Sequence, residues 1–267
     1  MRVFKYWAKY EGDIRVGSET HKVTCVGGSN DSESCARDAA REKLRRVQDH
    51  ILGKPHVFDD YEVEIKEEII RVLDDNNIIT RNRYGAEVLN SSNVMMIDID
   101  EPPRGVMDLF RRLDTQQKKA RIIAMVEKRS EKYARDGLGF RVYETAKGIR
   151  VIVLGGSFDP ESRASKNLLK DMNTDRLYAF LCVRQKCYRA RLSPKPSRIK
   201  CKARKFKVPY AQDEREEIER WKDAYYKKSR GFSVCKYIAT FGKDALSSGI
   251  VETHDGMTGA HQSLTLA

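Results

Sequence analysis

No apolar run in this 267-residue chain approaches the roughly 20 residues that a membrane-spanning helix needs. The opening residues, MRVFK, lack the apolar core and small-residue cleavage site of a secretory signal. The six cysteines are scattered and form no CxxC pair, so a reducing, cytoplasmic compartment is the expectation. The glycines at 155 and 156 stand in GGSFDP, which has neither Walker nor dinucleotide-binding spacing. The absence with most consequence is one of charge. Residues 184–207 contain no Asp or Glu, while eleven Lys and Arg crowd the same stretch. The whole chain carries +12, so this one segment holds nearly all of the excess. A solvated helix face mixes signs. A one-signed run of this density points instead to a polyanionic partner, nucleic acid or nucleotide.

What is present has the composition of a globular protein, 40% hydrophobic and 34% charged, with enough chain for one large domain or two small ones. The stretch VMMIDIDEPP at 94–103 alternates after an apolar run, the period of a half-buried strand. Met95, Ile97 and Ile99 then share one face, and Val94, Met96, Asp98 and Asp100 the other. Two carboxylates therefore project side by side at the strand's end, about 7 Å apart at their α-carbons. Such a pair either runs out into a solvated acidic turn or holds a divalent ion through hard oxygens.

The remaining elements are organised around that strand. Residues 2–26 read as strands broken by a turn at Glu11, Gly12 and Asp13, and a helix runs from the capping residues near Ser32 to about Ile51. Its stripe is Ala36, Ala39, Ala40, Leu44, Val47 and Ile51, and Pro55 belongs to a short connector. Residues 62–75 read as a strand or extended lead-in followed by a short helix. Ile78 to Thr80 and Val88 to Leu89 bracket a polar bend containing Arg81 and Arg83. If the bend pairs with the Asp98 strand, both arginines lie near the carboxylates; otherwise it is a surface hairpin. Val106, Leu109, Phe110, Ile122 and Val126 have helical spacing, with a stop at Gly137. A hairpin follows, 140–145 and 149–154 around Ala146, Lys147 and Gly148. Its alternation places Arg141, Tyr143 and Arg150 opposite the apolar residues, which implies a sheet with helices behind and one open polar face. Arg189 and Arg191 share a face of a later strand that prolines stop near Lys195. A charged helix, a hydrophobic stretch at 234–241 and a polar tail close the chain. The expected division is a ββα unit over 1–55, a core over 56–210 and a helical extension over 211–267.

The order of these motifs resembles the archaeo-eukaryotic primase superfamily, especially its primase-polymerase branch. The matching features are the Asp98/Asp100 strand, the hairpin T-A-K-G-I-R at 145–150, a later aspartate at 175 and R-A-R-L-S-P-K-P at 189–196. The strings TRNRYGA at 80–86 and RARLxPKP also make it similar to uncharacterised bacterial proteins. The resemblance covers roughly residues 78–200. It implies an α+β fold with an RRM-like antiparallel sheet, and Mg²⁺ or Mn²⁺ held by Asp98, Asp100 and Asp175 as catalytic metal ligands. It also implies that basic residues grip nucleotide or template phosphates, a role that falls to Arg189, Arg191 and Lys195; Lys147 and Arg150 of the hairpin, and Arg81 and Arg83 if their bend reaches the carboxylates, are further phosphate-binding candidates. Nucleic acid and nucleoside triphosphates are the implied partners. Arg150 departs from the pattern: the family places a histidine there to contact the incoming nucleotide.

The three functional expectations are a primase-polymerase-like nucleotidyltransferase, a non-catalytic nucleic-acid-binding protein on the same sheet, and a metal-dependent nuclease. The nuclease needs a base beside the aspartates, and no Lys or His is clearly nominated. Cys182, Cys187, Cys201 and Cys235 read either as buried free thiols or as a structural Zn²⁺ site of loose spacing. His254 and Asp255 read as a capping or tail contact.

Overall fold

Twelve strands and six α-helices form among the described residues, 1–54, 63–102, 113–243 and 248–267, of the computed structural model. The sequence expectations for Pro55, Val106, Leu109 and Phe110 lie outside the described residues. Strands β1 (Tyr6–Val16) and β2 (Glu19–Ser29) pair antiparallel, and helix α1 (Glu33–Ile51) packs on them. The turn is not at Gly12, as the sequence suggested, but at Gly17, whose φ of 61° suits a tight reversal. Gly12 lies within β1, where a side chain would collide with Leu44 of α1. The α1 stripe is shorter than expected: Ala36, Ala40 and Leu44 are buried, whereas Val47 and Ile51 are exposed.

Next come β3 (Glu68–Asp74), β4 (Asn77–Arg81) and β5 (Glu87–Ser91). The short helix expected before residue 75 is therefore a strand, bulged and paired to β4. Strand β6 (Met96–Ile99) carries Asp98, and helix α2 (Thr115–Ala134) follows, with Asp114 and Gln117 closing its N-terminus as a capping box. The hairpin β7 (Gly139–Thr145) and β8 (Ile149–Leu154) lies where its pattern placed it. Helices α3 (Arg163–Asp171) and α4 (Arg176–Gln185) lead to β9 (Tyr188–Arg191) and then to α5 (Arg215–Ser229). The chain ends with β10 (Phe232–Ser233), β11 (Cys235–Gly242), α6 (Gly249–Thr258) and β12 (Thr265–Leu266).

Two four-stranded antiparallel sheets organise the molecule, in the orders β3-β4-β5-β9 and β11-β7-β8-β6. The hydrophobic stretch expected within a C-terminal extension is thus β11, an edge strand of the second sheet. One face of that sheet packs its apolar residues on Ile122 and Val126 of α2. The expectation of an open polar face on the other side is corrected, because every residue of β8 is buried. A row of polar side chains crosses the sheet there in register, Tyr237, Tyr143, Arg150 and Asp98. Helix α6 covers its centre through Asp255, which accepts from the Tyr143 hydroxyl at 2.6 Å and from Arg141 at 2.7 Å. Both ends of the row, Tyr237 and Asp98, are half-buried, while Tyr143 and Arg150 at its centre are buried.

A second hydrophobic cluster, with Phe206, Trp221 and Tyr225, packs against the β4–β5 bend. Gly85 in that bend has φ of 90°, and a side chain there would run into Trp221. Gly85→Ala is expected to destabilise the protein by more than about 1 kcal/mol, lowering Tm by roughly 2–4 °C or more. An unchanged thermal melt would contradict this packing.

Candidate functional site

Edge strand β6 of one sheet meets edge strand β9 of the other, and two side chains close the seam. The Tyr178 hydroxyl of α4 donates to the Met96 carbonyl at 2.7 Å and accepts from the Arg189 amide at 3.2 Å. Arg150, directly across from Asp98, donates from Nε to Asp98 Oδ1 at 3.0 Å and from Nη1 to the Arg191 carbonyl at 2.9 Å. Burial disfavours the Arg150 charge, but Asp98, together with Cys235 and Tyr178, more than offsets this and keeps the guanidinium protonated.

The acids gather at the solvent end of this seam. The Asp98 side chain is 38% exposed even with Arg150 on it. Asp100 follows at the end of β6, and Asp175 joins them through its amide, which donates to the Asp98 carbonyl at 3.2 Å. The Asp175 carboxylate also caps α4, accepting from the Tyr178 amide at 2.7 Å. Partial burial pushes the Asp100 carboxyl up, and the neighbouring charges of Asp98 and Asp175 add to the shift. Glu101 turns away to an ion pair with Lys118 at 2.8 Å.

Cations stand beside the acids. Lys147 and Lys195 both act on the Asp100 charge, pulling against the shift. Lys147 is carried there by the β7–β8 turn, which presses on β6 because Gly148 has no side chain; a Cβ would strike the Ile99 carbonyl. Burial, then the charges of Arg150 and Arg198, lowers the Arg191 guanidinium to about 10. Its Nε is buried and has no hydrogen-bond partner. Lys195 is lowered too, by partial burial and by Arg191, Arg198 and Lys147. Like charges therefore press on one another within each group, acids at the end of β6 and cations behind them. That arrangement suits a ligand bearing both signs, such as a polyphosphate with its divalent ion.

Three arginines expected at the site are elsewhere engaged. Strand β5 pairs with β4 and β9, not with β6, so the Arg81 bend does not reach the carboxylates. Arg81 is buried among Glu68, Glu87, the Gly85 carbonyl and Tyr226, a structural ion cluster. Arg83 is exposed and lies over the Tyr84 ring at 4.6 Å. Arg189 shares the face of Arg191 but is tied to Glu67 at 2.6 Å. The structure adds Arg198 and Tyr178 to this site, and places His254 and Asp255 behind it through Arg150; the sequence had assigned none of the four there. Arg198 was legible as part of the basic run, and Tyr178 only by its place three residues after Asp175.

The cysteines do not gather into a zinc site. Cys182 and Cys235 lie in the main core, Cys187 in a cluster with Val3, Ile65 and Ile78, and Cys201 in the Trp221 cluster. Among the described residues, no three or more His, Cys, Asp or Glu are arranged to hold a metal ion. Arg150 takes Oδ1 of Asp98, whose second oxygen remains to serve such a set.

No family model matches the chain, and no curated protein or solved structure is found similar to it.

The mutual repulsion of the acids generates a direct test. Asp175→Asn keeps a capping side chain and removes one negative charge. The carboxyl titration of Asp100, followed by carbon NMR, is expected to move down toward the ordinary carboxylate range, because one neighbour that disfavours its ionised form is gone. An unchanged or raised midpoint would separate Asp175 from the site.

Proposed function

We propose that the chain is a primase-polymerase-like nucleotidyltransferase, acting on nucleic acid with Mg²⁺ or Mn²⁺ on an RRM-like sheet. The observation that carries this reading is the unrelieved charge at the β6–β9 seam: a raised Asp100 carboxyl between Asp98 and Asp175, facing Lys147, Lys195 and the partly unpartnered Arg191. The donor set fits a hard divalent ion, since all three acids offer carboxylate oxygens. When bound, such ions supply charge neutralisation and an activated oxygen for phosphoryl chemistry. Asp98 and Asp100 would hold the ion, with Asp175 completing the set from the start of α4. Lys147, Lys195 and Arg191 would grip the phosphates, and the cationic surroundings would stabilise charge that develops on the leaving group. Arg150 occupies the position where the resembled family has its nucleotide-contacting histidine. Its guanidinium suits a phosphate as a bidentate donor once it leaves Asp98.

A second reading has its own support. The 3.0 Å pair between Arg150 and Asp98 neutralises an acid that catalysis requires, as expected of a nucleic-acid-binding protein without activity. Titration of a nucleoside triphosphate with and without Mn²⁺ separates the two. Nucleotidyl transfer requires Mn²⁺ to tighten binding, and Asp100→Asn to weaken it at least about tenfold, the scale on which metal sites respond to lost support. Labelled nucleotide should then be added to a primed template by the wild type alone. Equal behaviour of wild type and Asp100→Asn, with nucleic acid still bound, selects the non-catalytic reading. Degradation of labelled single strands without added nucleotide selects a nuclease.

A further inference from the structure

His254 and Asp255 of α6 have no part in the function proposed above, yet they stand one contact from its site. His254 is fully buried, so it cannot itself touch a ligand. Its Nδ1 is 3.0 Å from Asp255 Oδ1, and its Nε2 is 3.4 Å from Nη1 of Arg150. A guanidinium offers donors only. Nε2 must therefore present its lone pair to Arg150, and the single ring proton sits on Nδ1, aimed at the Asp255 carboxylate. The surroundings hold that state. Burial and the Arg150 charge disfavour the imidazolium, and they outweigh the pull of Asp255.

Asp255 is anchored in turn. Burial alone would raise its carboxyl, but hydrogen bonds from His254, Tyr143 and Arg141 hold it well below the usual carboxylate range. His261 approaches its second oxygen at 3.1 Å. The other groups facing the His254 ring are the Cys235 sulfur at 4.0 Å from Nε2 and the Tyr143 ring, edge-on at 4.8 Å between centroids. A continuous line of contacts thus runs from Asp255 through His254 and Arg150 to Asp98. Nη1 of Arg150 is divided between the His254 ring and the Arg191 carbonyl.

We infer that His254 is a positioning residue: as the neutral Nδ1–H tautomer, it accepts from Arg150 and holds that guanidinium in register with Asp98 at the β6–β9 seam. The consequence for ligand affinity rests on the proposed function; the positioning itself does not. Replacing the ring by Leu removes the acceptor, whereas Gln returns a side-chain oxygen of similar reach.

Three measurements on the full chain test this. Long-range proton–nitrogen correlations of the histidine rings should show His254 protonated at Nδ1 and bare at Nε2; a proton on Nε2 overturns the inference. Solvent exchange of the Arg150 Nε–H should be slow in wild type and His254→Gln, and about tenfold faster in His254→Leu, the scale of one lost hydrogen bond to a charged group. Equal rates in the three proteins overturn it. Because the proposed ligand takes Arg150 away from Asp98, Mn²⁺-dependent binding of a nucleoside triphosphate should tighten by about tenfold in His254→Leu, the scale of one hydrogen bond to a charged group, and stay within about threefold of wild type in His254→Gln. Wild-type affinity in the Leu variant, or an equal change in both variants, counts against a positioning role. If His254→Leu does not fold, the ring tautomer and the Gln variant decide, and a Gln variant with fast Arg150 exchange overturns the inference. Should the wild type bind no nucleotide with Mn²⁺, the proposed function fails, while tautomer and exchange still settle the role of His254.

Discussion

A guanidinium removed from water has to find anions and acceptors inside the protein, because an unpaired buried charge costs several kcal/mol. Arg150 is 2% exposed and finds them on three separate elements. Asp98 comes from β6, the Arg191 carbonyl from β9 and the His254 ring from α6. Each belongs to a different part of the chain, so satisfying one cation fixes one sheet against the edge of the other and α6 against both. Tyr178 repeats the same stitch with a neutral hydroxyl, joining Met96 to Arg189 across the seam. The meeting of the sheets and the build-up of charge beside it have a single physical origin.

That origin gives the seam two unequal sides. Inside, charges are paired: Asp255 with Arg141, Tyr143 and His254, Arg189 with Glu67 although its Nε has no partner, and Arg81 with Glu68 and Glu87. At the solvent end compensation stops. Asp100 is pushed toward its neutral form by burial and by Asp98 and Asp175, and Arg191 is lowered by burial and by Arg150 and Arg198. A fold that only needed rigidity would neutralise these groups as it does the others. On the proposed reading, the unfinished part of the network is where a metal-bound polyphosphate completes it, and Arg150 is the internal cation that it displaces from Asp98.

Much of this was legible in the sequence, for reasons that differ by element. Period-two alternation located β6, β7 and β8, since each has one face in a single core. A capping residue placed the start of α1, whose Ser32 side chain accepts an amide of the first turn. What alternation cannot supply is partner choice. Strands β5 and β6 are close in sequence, but β5 pairs with β4 and β9 because the long crossover through α2, β7 and β8 carries the chain away and back. Sequence proximity alone therefore does not bring Arg81 and Arg83 to the aspartates. His254 is illegible for the complementary reason: its partner Arg150 is 104 residues distant, and no local pattern encodes a contact of that range.

The most direct test of the central claim is an anomalous diffraction map from crystals grown with Mn²⁺ and a non-hydrolysable nucleoside triphosphate. The account expects a manganese peak between the Asp98 and Asp100 carboxylates, with Arg150 turned from Asp98 onto a phosphate oxygen and Lys147 or Lys195 beside it. An intact Arg150–Asp98 pair, with nucleotide present in the crystal and no manganese at the end of β6, would contradict it.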